Sequence, residues 1–144
     1  MSAKSRAALF VTVLAAVAWS LVPAAPAVAS AGITITGLSV ETFPDAANAV
    51  WVDGTATCST TTGTATVFVR VSQTFVNSRV WGIGGTSVSC ADQPAHWSAY
   101  VTVFGTCTFP GGLGCFQPDS IANAEARLTR NGVQEAIHNG EFAT

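Results

Sequence analysis

Short runs of alternating apolar and polar residues dominate this 144-residue chain from about position 33 onward. Valine, threonine and alanine fill the runs, and Gly, Pro, Asn or Asp separate them, which is typical of antiparallel β-structure. No stretch shows convincing helical periodicity. The pattern predicts seven strands, at about 33–41, 49–59, 64–74, 79–90, 96–105, 120–130 and 133–142. Seven short strands in roughly 110 residues favour an all-β, immunoglobulin-like antiparallel β-sandwich, with closure into a barrel as the alternative.

The first 29 residues are predicted to be a secretory signal peptide. A short basic segment precedes the apolar run 7–22, and Ala27-Val28-Ala29 supplies the small–x–small pattern that signal peptidase cleaves. A membrane anchor is the alternative, but a run of roughly 16 residues is shorter than the about 20 that span a bilayer. We therefore expect cleavage after Ala29 and one secreted, extracellular domain over 30–144, a usual size for a single domain.

Charge excludes two classes of partner for this mature domain. The domain keeps four arginines and eight acidic residues, a formal net charge of −4; the arginines are Arg70, Arg79, Arg127 and Arg130. So few basic residues give no electrostatic footprint for nucleic acid or for an anionic membrane surface. We expect a monomer whose partner is an extracellular protein or a polysaccharide.

Four cysteines, an even number in an exported chain, predict two disulfides rather than a metal site. Three pairings are possible on paper. Cys107 and Cys115 flank the turn-forming segment Thr-Phe-Pro-Gly-Gly-Leu-Gly and are natural partners, which leaves Cys58 for Cys90. The latter bridge closes a loop of about 33 residues, and in the chain-entropy model this contributes roughly 3–4 kcal/mol.

Strand alternation also assigns side chains to faces. Counting along the second, third and fifth strands places a valine- and alanine-rich set in the core, together with Trp97. The same count turns Trp51, Phe68 and Tyr100 outward. Exposed aromatic rings on a sheet stack on sugar rings or anchor protein contacts, so these three residues form the candidate binding surface. Trp81 has no assigned face, because neighbouring glycines obscure its phase.

The hairpin joining the last two strands is the strongest local signal. Asn131-Gly132 tolerates the positive φ angles of a type I′ turn. A two-residue loop without a bulge would place Glu125 opposite His138 and Arg127 opposite Ala136.

No group of residues predicts an enzyme, a metal site or a cofactor. The chain has two histidines, His96 and His138, and no Gly-x-Ser-x-Gly elbow. A Glu125–His138 contact is interpreted as a cross-strand ion pair, and the four cysteines are assigned to disulfides. The glycine-rich segment 82–85 precedes a strand rather than a helix, so it indicates a bulge or bend and not a phosphate loop.

The Cys107–Cys115 loop has two interpretations. Its apolar residues Phe109, Leu113 and Phe116 could present a convex segment to a protease, as inhibitors do. Three glycines in the loop argue against the rigidity that tight inhibition requires, and favour an ordinary stapled surface loop.

The middle of the domain, about 54–104, carries Gly54-Thr55-Ala56-Thr57-Cys58, Val69-x-Val71-Ser72-Gln73, Val88-Ser89-Cys90 and His96-Trp97. In this order of motifs the chain resembles small secreted actinobacterial immunoglobulin-like proteins, largely uncharacterised. The resemblance implies a β-sandwich with Cys58 bonded to Cys90, and no catalytic residues to carry over; the second cysteine pair departs from it. The function expected is that of a non-catalytic binding or structural module. The alternative is a carbohydrate- or cell-wall-binding module that uses the outward aromatics, followed by a protease inhibitor or a small-ligand carrier.

Overall fold

The computed structural model describes residues 30–41, 49–105, 107 and 114–144. Within them the chain forms seven antiparallel strands and no helix, which confirms the all-β prediction. The strands are β1 (Gly32–Val40), β2 (Ala49–Thr57), β3 (Thr64–Thr74), β4 (Arg79–Ser89), β5 (Ala95–Val103), β6 (Ile121–Arg130) and β7 (Val133–Ala143). The predicted signal peptide lies outside the described residues. In the part of the chain that is described, no helix is long and apolar enough to cross a membrane.

All seven strands belong to one sheet, in the order β1-β2-β5-β4-β3-β6-β7. The two ends of this order, β1 and β7, lie in contact, so the sheet curls into a nearly closed barrel. The pairing between β4 and β5 is short and covers only Gly82–Gly84 against Val101–Val103.

Glycines allow the close crossing of β4 and β5. A Cβ atom on Gly82 would overlap the carbonyl oxygen of Thr102, and one on Gly84 would overlap that of Tyr100. β4 pairs with β3 without a register shift, so these glycines do not form a bulge between those two strands. Their role is to bring two backbones together where a side chain would hold them apart.

The core consists mainly of small aliphatic side chains, as the alternation predicted. Buried residues include Val50, Val52, Ala56, Ala65, Val67, Val69, Val71, Ala99, Val101, Ala122, Ala124, Ala126 and Leu128. The first disulfide, Cys58–Cys90, is fully buried among them, with its Cα atoms 5.6 Å apart. It follows the ends of β2 and β4, which are not neighbours in the sheet, and therefore ties together strands that no backbone ladder joins.

Trp97 is the largest aromatic side chain in this core and is 5% exposed. It lies opposite Gly54 in the β2–β5 ladder. A Cβ atom at position 54 would overlap both the indole ring of Trp97 and the carbonyl oxygen of Thr34 on β1. The absence of a side chain at Gly54 thus makes the space in which the indole packs.

Alternation breaks at the end of β3, where Val71, Ser72 and Gln73 are all buried. The Gln73 side chain accepts a hydrogen bond from the backbone N of Gln117 (2.7 Å) and donates to its carbonyl oxygen (2.9 Å). Its Nε2 also lies 3.2 Å from Oγ1 of Thr144. This buried amide fixes the segment that follows the second disulfide, Cys107–Cys115.

The β6–β7 hairpin has the predicted two-residue loop, with positive φ at Asn131 (52°) and Gly132 (79°). Its register differs from the expected one beyond Leu128, because a bulge on β7 leaves Glu135 without a ladder partner. Arg127 therefore lies opposite Ile137 and not opposite Ala136.

The bulged carboxylate has hydrogen-bond partners outside the ladder. Glu135 accepts hydrogen bonds from Nε of Arg130 (2.7 Å) and from Oγ of Ser59 (2.7 Å), and the backbone N of Ser59 donates to it at 3.2 Å. The hydrogen bonds from Ser59, followed by those from Arg130, hold the pKa of Glu135 below its usual value. The hydrogen bonds with Ser59 fasten this end of the hairpin to the loop after β2.

Candidate functional site

The three outward aromatic residues have exposed side chains. Trp51 and Phe68 are each 41% exposed and Tyr100 is 38% exposed. Trp51 and Tyr100 are directly opposite in the β2–β5 ladder, and their rings meet edge to face with centroids 4.9 Å apart. The pair forms a continuous aromatic patch on the outer face of the sheet, which we call the Trp51–Tyr100 patch.

A carboxylate fixes the orientation of the tyrosine in this patch. The hydroxyl of Tyr100 donates a hydrogen bond to Oε2 of Glu41, at 2.9 Å. This hydrogen bond to an acceptor that carries negative charge raises the pKa of Tyr100. The phenol stays protonated and the ring is held against Trp51.

Phe68 lies in the same row across the sheet but not in the same patch. Gly85 is its partner on β4, and Gly84 beside it pairs with Val101, the neighbour of Tyr100. A glycine thus separates Phe68 from the Trp51–Tyr100 patch. Phe68 faces Arg127 on its other side, in the β3–β6 ladder.

A second aromatic group was not predicted from the sequence. Trp81 faces outward and stacks on Phe104 with centroids 4.7 Å apart and planes 10° apart. The guanidinium carbon of Arg70 lies 5.5 Å from the centroid of the Trp81 ring. Arg70 comes from β3 and Phe104 follows β5, so the two residues approach the indole from the two sides of β4.

A polar groove of about 380 Å³ lies beside this stack, on the outer face of β3, β6 and β7. Two cross-strand rows form its floor: Arg70–Glu125–Asn139 and Ser72–Asn123–Glu141. Arg79 reaches in from β4 and donates from Nη2 to Oγ of Ser72, at 3.3 Å. Arg70 lies two residues after Phe68, so strand alternation gives it the same outward face, but the sequence gave no indication that these residues meet.

His138 does not lie opposite Glu125, as the sequence had predicted. His138 pairs with Ala126 and lies on the inward side, near Phe142 (centroids 6.3 Å apart). Glu125 pairs with Asn139 on the outer face and accepts a hydrogen bond from Nε of Arg127 (2.6 Å). The predicted Glu125–His138 ion pair is wrong, because the β7 bulge shifts the register by one residue and a one-residue shift reverses the face.

His96 lies on the outer face of β5, opposite Thr55 in the β2–β5 ladder. Among the described residues, no cluster of three or more His, Cys, Asp or Glu side chains could hold a metal ion.

The Cys107–Cys115 loop is described only at its ends. Phe109 and Leu113 lie outside the described residues. Phe116 is 1% exposed and belongs to the hydrophobic core. It is therefore wrong as a member of a convex inhibitory segment, because a buried ring cannot contact a protease.

Comparison of the chain with protein-family models, with curated proteins and with solved structures finds no match.

Proposed function

We propose that this chain is a secreted, non-catalytic binding module of immunoglobulin-like type, and that the Trp51–Tyr100 patch binds a carbohydrate of a cell wall or matrix. The strand order supports the fold type, because β1-β2-β5-β4 and β3-β6-β7 correspond to the two sheets of an immunoglobulin-type sandwich. In this chain the β3–β4 hairpin joins them. The first disulfide differs from the inter-sheet bridge of antibody domains, since it lies after β2 and β4.

Secretion is supported by two features. The residues before position 30 have the basic, apolar and small–x–small segments of a signal peptide. Two disulfides fit an oxidising extracellular environment, and the described cysteines include no free thiol. The mature protein should begin at Ser30, and the intact mass of the protein in culture supernatant measures this directly.

The observation that carries the binding function is the geometry of the Trp51–Tyr100 patch. Two large rings share one exposed surface, and a hydrogen bond to Glu41 fixes one of them. A rigid aromatic platform loses little conformational entropy on binding, and the CH faces of a sugar ring pack on it without deep enclosure.

The test is a pair of tryptophan variants measured side by side. Trp51→Ala should keep the wild-type melting temperature and lose pull-down by insoluble polysaccharide. Trp97→Ala should instead destabilise the fold by about 3–5 kcal/mol, because Trp97 is buried and Trp51 is not.

Tyr100→Phe is the matched control for the hydroxyl, since it keeps the ring and removes only the bond to Glu41. It should bind more weakly than wild type and more tightly than Trp51→Ala. If folded wild-type protein captures none of the cell-wall, chitin or cellulose probes, the carbohydrate assignment fails and a protein partner replaces it.

A further inference from the structure

We propose that the polar groove over β3, β6 and β7 is a second binding site, specific for a carboxylated sugar. The carboxylate would lie between Arg70 and Arg79, and the sugar hydroxyls would face the amides and carboxylates of β6 and β7. This site is separate from the Trp51–Tyr100 patch and does not depend on its function.

The first step concerns the two guanidinium groups. Both line the groove, and within the described ranges neither has a carboxylate oxygen within 4.0 Å. The other two arginines of the domain are paired, Arg127 with Glu125 and Arg130 with Glu135. The groove is lined by these two arginines on the β3–β4 side and by Glu125 and Glu141 on β6 and β7, so an anion is favoured only at the arginine end.

The second step is preorganisation of one of these cations. Trp81 stacks on Phe104, and the guanidinium carbon of Arg70 lies over the Trp81 ring, 5.5 Å from its centroid. Stacking restricts the rotation of a long side chain, so less entropy is lost when its planar fork binds a carboxylate through two hydrogen bonds. The indole of Trp81 is in contact with both Phe104 and Arg70, and it acts as a support for Arg70 rather than as a sugar platform.

The third step is the chemistry of the side of the groove that β6 and β7 form. Asn123, Asn139 and Glu141 are exposed along β6 and β7, and Glu125 is half-buried beside them. Amide and carboxylate oxygens accept hydrogen bonds from hydroxyl groups, and the amide nitrogens donate to them. The carboxylates of Glu125 and Glu141 repel a second carboxylate on this side of the groove. The site therefore selects a ligand that is anionic at one end and hydroxylated at the other.

The size of the groove fits this ligand class. Its volume of about 380 Å³ lies within the range of small-molecule sites, at the lower end. The polar lining disfavours an apolar ligand, because charged groups would lose water without gaining a partner. A sugar acid fits both sides of the groove, because its carboxylate pairs with the arginines and its hydroxyls bond the residues of β6 and β7.

The experiment titrates D-glucuronate into the mature, disulfide-bonded protein and follows side-chain NMR signals. Saturable shifts are expected in the millimolar range at the Trp81 indole N–H, the Arg70 Nε–H and the Asn139 amide. D-Glucose, which has the same hydroxyl pattern without the carboxylate, should bind at least tenfold more weakly. Acetate, which has the carboxylate alone, should also bind at least tenfold more weakly.

Three variants locate the site. Arg70→Gln should weaken glucuronate binding by tenfold or more, and Arg70→Lys should weaken it less, because it keeps the charge and loses the planar fork. Trp51→Ala, on the other patch, should leave the affinity unchanged. Melting temperatures should stay within experimental error for the Arg70 variants, because the side chain is exposed.

Three results would overturn the proposal. Equal binding of glucose and glucuronate would remove the role of the arginines, and equal binding of acetate would reduce the site to a general anion contact. Absence of saturable shifts at all three reporter groups would show that glucuronate does not bind in the groove. Loss of polysaccharide capture by Trp51→Ala with glucuronate binding intact separates this site from the proposed function.

Discussion

Replacing Gly54 by alanine should destabilise the domain more than any other single-methyl addition to β1 or β2. The added Cβ would overlap the indole of Trp97 on one side and the backbone carbonyl of Thr34 on the other. Neither neighbour moves freely: the indole is buried in the core, and the carbonyl belongs to the β1–β2 ladder, in which Ile35 is the partner of Gly54.

The magnitude follows from the cost of overpacking. Forcing a methyl group into a closely packed core costs about 1–3 kcal/mol. For the 115 residues from position 30 to the end, the average unfolding entropy converts each kcal/mol into about 4 °C, so the melting temperature should fall by about 4–12 °C. Gly32→Ala is the matched control, because a Cβ there has no atom within 4 Å, and its effect should stay within about 0.5 kcal/mol.

A double variant separates the two overlaps. Replacing Trp97 by leucine removes the indole, so adding Gly54→Ala to that background should cost less than adding it to wild type. The relief should be incomplete, because the overlap with the Thr34 carbonyl remains. Thermal unfolding of the four proteins gives the coupling free energy. A wild-type melting temperature for Gly54→Ala would show that the indole does not pack over this glycine.

The remaining predictions concern the ion pair and the disulfides. Because partners lower the pKa of Glu135 in the folded state, its contribution to stability is present above the ordinary value of 4.5 and is lost as pH falls through the folded pKa. Denaturation midpoints of wild type and Glu135→Gln should therefore converge as the pH falls below 4.5 and through the folded pKa, and a constant difference down to about pH 2 would contradict this. Replacing the first disulfide by two alanines should cost about 3.7 kcal/mol and replacing the second about 2.5 kcal/mol, from loops closed over separations of 32 and 8 residues. Urea midpoints check the order, and a larger loss for the second bridge would refute it.

The all-β fold was predictable because the alternation of apolar and polar residues is visible within each strand, without knowledge of its partners. Strands β2, β3, β5 and β6 alternate buried, mostly small aliphatic residues with residues of the outer face, so the approximate bounds of the strands and the exposure of Trp51 follow from counting by two. The turn at Asn131-Gly132 was equally local, since it depends only on residues that tolerate positive φ.

Features that depend on pairing partners were not predictable. The β7 bulge that inserts Glu135 responds to Arg130 and Ser59, and Ser59 lies 76 residues away. In the sequence, Gln73 interrupts the alternating pattern. In the structure, its side-chain amide is hydrogen-bonded to the backbone of Gln117, 44 residues later. Whether the sheet closes almost into a barrel depends on contacts between β1 and β7, at opposite ends of the described chain.

The two candidate sites also differ in how far they depend on strand pairing. The Trp51–Tyr100 patch requires the phase of two strands and the β2–β5 register, and only the register was missing from the sequence. The polar groove requires four strands to be placed in the order β4-β3-β6-β7, which no local pattern encodes. Arg70 was visible as an outward residue, but its support by Trp81 was hidden by the glycines that follow on β4.

The packing of β4 against β5 also decides where this fold can bind a ligand. Gly82 and Gly84 bring the two backbones so close that a single Cβ does not fit between them, and the inward faces on either side carry valine and alanine. A small molecule at that point of the interior would have to separate the strands, at the cost of the ladder and of packed aliphatic contacts. On the outer face this crossing places Trp81 beside Phe104, whereas the β2–β5 ladder places Tyr100 beside Trp51. The close β4–β5 crossing thus also positions the Trp81–Phe104 pair outside the core.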